Sequence, residues 1–167
     1  MAEPISDAKT LAAQASRGVL TPAFLHRVLD AIEVGDAVSV KALIEPLHAA
    51  DLAHLLEAMD AGERRALVTA LGADFDPEVL SELDEDLRTE IVRMLGAKSV
   101  ADAVKELDVE DAAYVLEDLE DSEKREVLSQ VPLEDRAQVV DALLFPEESA
   151  GRLMHREFVA LSGSLSV

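Results

Sequence analysis

The chain has 167 residues and 18.0 kDa, with 35 acidic against 15 basic side chains, a net charge of −20, and 49% apolar residues. An acidic surface of that size repels phosphate backbones and anionic lipid, which excludes nucleic-acid binding, while the apolar content is too high for a disordered acidic tail. The absence of cysteine excludes disulfides, thiolate metal sites and thiol nucleophiles, and no apolar run is long enough to span a bilayer.

Ala and Leu dominate and only 3% of residues are aromatic, which is helix composition with little strand-forming material. The start, MAEPISDAKT, lacks the apolar region of a secretory signal. Residues 1–20 are Ala-rich and weakly periodic, and read as an N-terminal extension, a frayed helix. Thr21–Pro22 supplies an N-cap and a first-turn proline for a helix through Ile32 that ends near Gly35.

From Asp36 the chain divides into nine units of twelve residues, beginning DAVSVKALIEPL, HAADLAHLLEAM, DAGERRALVTAL and ending PLEDRAQVVDAL. The eighth, ninth and twelfth places are apolar in every unit, as in Leu55, Leu56 and Met59 or Val115, Leu116 and Leu119. Places related by i, i+1 and i+4 form one stripe on a short helix. The first place holds caps and breakers, among them Asp36, Asp60, Gly72, Gly96 and Pro132. Asp60 with Glu63 has capping-box spacing, and Asp108 with Asp111 is a shorter version of it. Asp76–Pro77 repeats the cap-then-proline start, and Gly72 and Gly96 stand where a left-handed residue ends a helix.

Helices of about two turns are unstable alone and must bury their stripes on one another. The expected fold is all-α, a superhelix or solenoid of short helices, with successive helices pairing into units of about 24 residues. Charge is unevenly spread over it. Residues 72–143 hold 22 acids and 7 bases, so −15 of the −20 lies in the last six units.

The repeat stops at Leu144. The string Phe145-Pro146-Glu147-Glu148-Ser149-Ala150-Gly151-Arg152-Leu153-Met154, followed by EFVAL read as a strand, resembles the junction between the N domain and the paired CBS domains of MgtE-type magnesium transporters. Phe145 stands where that pattern usually has Tyr. Upstream, HAADLAHLLEAM and DVEDAAYVLEDL resemble the helices of the same family's superhelical N domain, with Ala49 where Pro is common. The resemblance spans roughly residues 22–160 and implies three regions: an extension at 1–20, an N-type superhelical domain at 21–144, and a junction with the truncated start of a CBS domain at 145–167.

What the resemblance implies about function is a regulatory domain on the cytoplasmic side of the cell membrane. The full protein would be a homodimeric Mg2+ channel whose pore lies C-terminal to this segment. At high internal Mg2+, ions shared between acidic faces of the N domain, the CBS domains and the pore-plugging helix would hold it closed. Hard divalent cations favour carboxylate and water oxygens, so half-sites completed by another domain suit a weak, regulatory Mg2+. The family's metal-bridging acids fall here at Glu78 and at Glu110 and Asp111. One turn after Glu110 the family can carry a further acid where this chain has Tyr114. Asp118, on the same helical face as Asp111 and Tyr114, is the expected substitute.

Each of these acids also has a purely structural reading. Glu78 and Asp111 occupy first-turn positions, where a carboxylate stabilises any helix through the exposed N–H groups and the dipole. The run Glu117, Asp118, Glu120, Asp121, Glu123 reads by default as a solvated face. His48 reads as a cap, and His26 and His54 as surface. No phosphate loop, G-x-S-x-G or triad pattern is present, so no enzyme is expected. The competing function is a non-sensing helical interaction scaffold related to the middle region of the flagellar motor switch protein, which shares the short-helix superhelix.

Overall fold

The computed structural model describes residues 21–146 and Ser149. The expected extension at 1–20, and the SAG-R-L-M string and EFVAL strand of the junction, lie outside the described residues apart from Ser149. Within them the fold is all-helical: α1 (Pro22–Glu33), α2 (Ala37–Ile44), α3 (Ala49–Glu57), α4 (Ala61–Leu71), a 3-10 turn (Gly72–Asp74), α5 (Val79–Glu82), α6 (Glu85–Glu106), α7 (Val109–Glu117), α8 (Asp121–Gln130) and α9 (Leu133–Leu143).

Local chemistry starts and stops these helices largely where the repeat places it. The Thr21 hydroxyl accepts from the Phe24 N–H at 3.2 Å with Pro22 in the first turn. Asp36 caps α2 through the Ser39 N–H at 3.0 Å, and Asp84 caps α6 through the Leu87 N–H at 2.9 Å. Asp60 and Glu63 form a reciprocal capping box, each bond 2.8 Å long. The Asp76 carboxylate accepts from the Glu78 N–H at 3.0 Å and turns the chain into α5, which is only four residues long. His48 stands at the start of α3 but makes no side-chain capping bond.

Gly72 and Gly96 do take positive φ, at 56° and 77°. Their ψ values of −119° and 161° lie outside the left-handed helical basin, so they are sharp corners rather than Schellman-type ends. At Gly96 the two expected helices of consecutive units meet with no intervening loop, and α6 is two helical segments joined at that corner.

Packing follows the repeat: successive helices touch in the pairs α1–α2, α5–α6 and α6–α7, and contacts between alternate helices extend the stack. Alternate helices stack: α2 on α4, α4 on α6 and α6 on α8 form one layer, and α3 on α5, α5 on α7 and α7 on α9 form the other. One continuous core runs between the layers from Phe24 to Ala142. Of the repeat's apolar places, all are buried except Leu47, Leu95, Ala103, Leu128, Val140 and Leu143. Val140 is 38% exposed because it lies on the last helix, whose outer side meets no further unit among the described residues. Burial of this kind, at about 25 cal/mol per Å² of apolar surface, is what holds helices too short to persist alone.

Candidate functional site

The stacking of α5 on α7 brings two acidic turns together. α5 carries Glu78 at its start and Glu82 at its end; α7 opens with Asp108, Glu110 and Asp111. Glu78, Glu82 and Asp108 are exposed, whereas Glu110 and Asp111 are half-buried. Burial pushes the Asp111 carboxyl above its ordinary value, and the charges of Asp108, Glu110 and Glu82 push it further. The Asp108 side chain makes no capping bond, so the expected short version of the capping box does not form. Asp60, the same residue at the same place of the repeat, does accept from its N3 N–H, and the shorter Asp111 bears only on the reciprocal bond back to the N-cap N–H.

The arrangement therefore supplies oxygen donors and a local demand for positive charge, which fits a hard cation. It does not supply a closed cage. Among the described residues no group of three or more His, Asp and Glu side chains converges tightly enough to hold a metal ion.

Asp118 lies apart from this turn. It sits at the C-terminal end of α7 and accepts from Arg88, through Nε at 3.0 Å and again through Nη2. Arg88 is only 2% exposed. Its Nη1 donates to the Leu83 carbonyl at 3.0 Å, and its guanidinium carbon lies 3.8 Å over the centre of the Tyr114 ring. Burial works against the charge, but the bonds to Asp118 and Tyr114 outweigh it, so the guanidinium holds its proton more tightly than usual. Glu123 is likewise paired, with Arg93 at 2.9 Å, and its carboxyl is held below the ordinary value by that bond. The acidic run on α7 and α8 is thus partly spent on ion pairs to α6 and is not a uniformly solvated face.

Comparison with known proteins gives one family. The MgtE intracellular N domain matches residues 47–148. The chain belongs to the MgtE intracellular N domain family. Two crystal structures are among those that resemble it. One is the cytosolic domain of the Mg2+ channel MgtE in complex with ATP, at 26% identity and a TM-score of 0.71, over 82% of this chain and 56% of that one. The other is the soluble part of a magnesium transporter, whose 21% identity and TM-score of 0.69, over 81% and 54%, speak to the fold alone. The chain spans about half the length of these structures. No curated protein sequence matches it.

Within this MgtE N domain the structure also reveals residues that the sequence reading passed over. The fifth place of the repeat is basic in four units: Arg64, Arg88, Lys124 and Arg136. Each reaches back to the end of the preceding helix. Arg64 donates to the Met59 carbonyl, Arg88 to Leu83, Lys124 to Glu117 at 3.2 Å and Arg136 to Val131 at 2.8 Å. The last carbonyls of a helix lack intrahelical donors and carry the negative end of its dipole, so a cation from the next helix satisfies both needs. The signal was legible as a recurring base twelve residues apart or a multiple of it, and attention to apolar places alone hid it.

Proposed function

We propose that this chain is the Mg2+-sensing domain of an MgtE-type magnesium transporter, acting on the cytoplasmic side of the membrane. The observation that carries the reading is the stacking of α5 on α7, which brings Glu78 and Glu82 toward the turn of Asp108, Glu110 and Asp111 in a chain of the MgtE intracellular N domain family. Glu78, Glu110 and Asp111 are its half-sites; Asp118, expected from the sequence to join them, is instead paired with Arg88 and is left out of the set. The carboxylates would hold a hydrated Mg2+ only when a second acidic surface completes the shell, because Mg2+ keeps most of its waters and binds through one or two carboxylates from each side. That second surface is proposed to be the CBS domains and the pore-plugging helix of the full-length homodimer.

Such a device works through differential binding. Mg2+ favours the compact arrangement because only there do two acidic faces share it, and in its absence their repulsion drives them apart. An isolated half-site is accordingly weak. Titration of the 167-residue chain with Mg2+ at constant ionic strength, followed by amide NMR shifts, is expected to give shallow, millimolar responses at residues 78–82 and 108–111. Tight stoichiometric binding to the isolated chain would contradict sharing between domains. In the full transporter, Glu110→Ala with Asp111→Ala is expected to weaken Mg2+-dependent closure at normal expression, and unchanged gating would assign both acids to helix stabilisation.

A further inference from the structure

Arg88 differs from the other basic residues at the fifth place. Arg136 binds backbone carbonyls of Val131 and Ser129, and Arg64 reaches Glu90 at 2.9 Å while leaving its buried Nε without a partner. Arg64 and Arg88 each join three helices, but Arg88 alone of the two engages Nε, Nη1 and Nη2 together and an aromatic face: it grows from α6, holds the end of α5 at Leu83, and holds α7 at Asp118 and Tyr114.

These attachments bear on the acidic turns. α5 has four residues, too few to fix its own position, and is held by the buried Val79 and Leu80 and by the Arg88 bond at its end. Asp111, Tyr114 and Asp118 share one face of α7 at spacings of three and four residues. Holding Tyr114 and Asp118 toward Arg88 fixes the rotation of α7 about its axis. Asp111 opens that face in the first turn of α7, and α7 packs on α5, whose last residue is Glu82.

We propose that Arg88 is a positioning residue for the acidic half-site: by gripping Leu83, Tyr114 and Asp118 at once it sets the spacing between Glu82 on α5 and Asp111 on α7, without touching an ion. The proposal rests on the Mg2+-sensing reading above. It adds that the half-site is preset by an internal cation before any metal arrives. It also gives the Tyr114 and Asp118 combination a role: the ring accepts the face of the guanidinium and Asp118 supplies the countercharge.

The test uses the 167-residue chain, with Mg2+ itself as the probe and amide shifts at residues 78–82 and 108–111 as the readout. Arg88→Met with Asp118→Leu removes both charges of the pair, a change that cores commonly tolerate. The expected result is a cooperative thermal transition with the Mg2+ response at those residues weakened roughly three- to tenfold, at or below the low end of what outer-shell partners contribute to metal affinity. Arg88→Lys keeps the charge but loses the fork, and is expected to recover only part of the response. Arg136→Met removes a grip on the end of α8, through the Ser129 and Val131 carbonyls and not through α5 or α7, and is expected to leave the response unchanged. A folded double variant with an unaltered Mg2+ midpoint overturns the proposal; if the double variant does not fold, an unaltered midpoint in Arg88→Lys does so. If the unmodified chain shows no Mg2+-dependent shift at these residues, the sensing reading fails first and takes this inference with it.

Discussion

The first turns of α4 and α7 are the same place in the repeat, yet they end in opposite states. In α4, Asp60 and Glu63 exchange two 2.8 Å bonds with backbone N–H groups, and their charges are absorbed by the helix start. In α7, Asp108 makes no capping bond and Asp111 is pushed up by burial and by three acidic neighbours. The two turns share the N-cap Asp and differ at the next three places, Ala61-Gly62-Glu63 against Val109-Glu110-Asp111. The comparison teaches that an acid at a helix start is a structural device where it bonds the exposed N–H groups, and a stored charge where it does not.

The largest expected effect comes from the residue behind the second turn. Arg88→Met alone leaves the Asp118 carboxylate, 16% exposed, facing a vacated apolar site, and is expected to cost about 3–5 kcal/mol in urea unfolding, the range for breaking a buried pair. Arg64→Met, the same substitution behind α4, leaves Glu90 at 32% exposure, where water compensates, and is expected to cost clearly less. Equal losses at the two sites would mean that burial of the carboxylate partner does not set the difference. Asp118→Leu added to Arg88→Met is expected to restore most of the stability.

Much of the scaffold was legible because it is written in types that do one thing. Apolar residues at the eighth, ninth and twelfth places have no option but the core, and Thr21, Asp36, Asp60 and Asp84 cap where their spacing says. The pairing of alternate helices was not legible, since a stripe on a helix does not say which neighbour it meets. Nor was the role of Arg88: a base among 35 acids reads as a surface charge, and only the stacking of α5, α6 and α7 shows it enclosed. The acids were the hardest to read. Glu78, Glu110, Asp111 and Asp118 looked alike in sequence, and the fold separates them by surroundings: Asp118 to an arginine, Asp111 to its own kind, Glu78 to the surface.

Exchanging the two turns tests the reach argument at a smaller scale. Asp111→Glu gives α7 the Asp-x-x-Glu spacing of α4 and is expected to form the missing bond to the Asp108 N–H, adding about 0.5–1 kcal/mol to stability in thermal or urea unfolding. The same variant is expected to lose part of its Mg2+-dependent amide shift at residues 108–111, because the carboxylate is now spent on the backbone. Glu63→Asp in α4 is expected to do the reverse, losing a similar amount of stability. A gain in stability with an undiminished Mg2+ response would show that capping and sensing do not compete for this side chain.

The smallest effect is a pH dependence at Asp111. Its folded value lies above the ordinary 3.8, so ionisation is harder in the folded state than in the unfolded chain. The resulting penalty on the folded state is absent below the unfolded value, grows as pH rises through the interval up to the folded value, and is fully present above it. Asp111→Asn removes the ionisable group while keeping its shape, and so removes the penalty along with whatever the charge contributes to the helix dipole. The difference in Tm between Asp111→Asn and the unmodified chain is therefore expected to move in the variant's favour by about 1–3 °C between pH 4 and pH 7, a modest change for a half-exposed group. Added Mg2+ at pH 7 relieves the same repulsion and is expected to shrink that difference again, at an ionic strength held constant with Na+. A difference in Tm that is flat with pH would mean that the neighbouring acids act on Asp111 too weakly to matter. One that responds to pH but not to Mg2+ would place the strain there and the metal elsewhere.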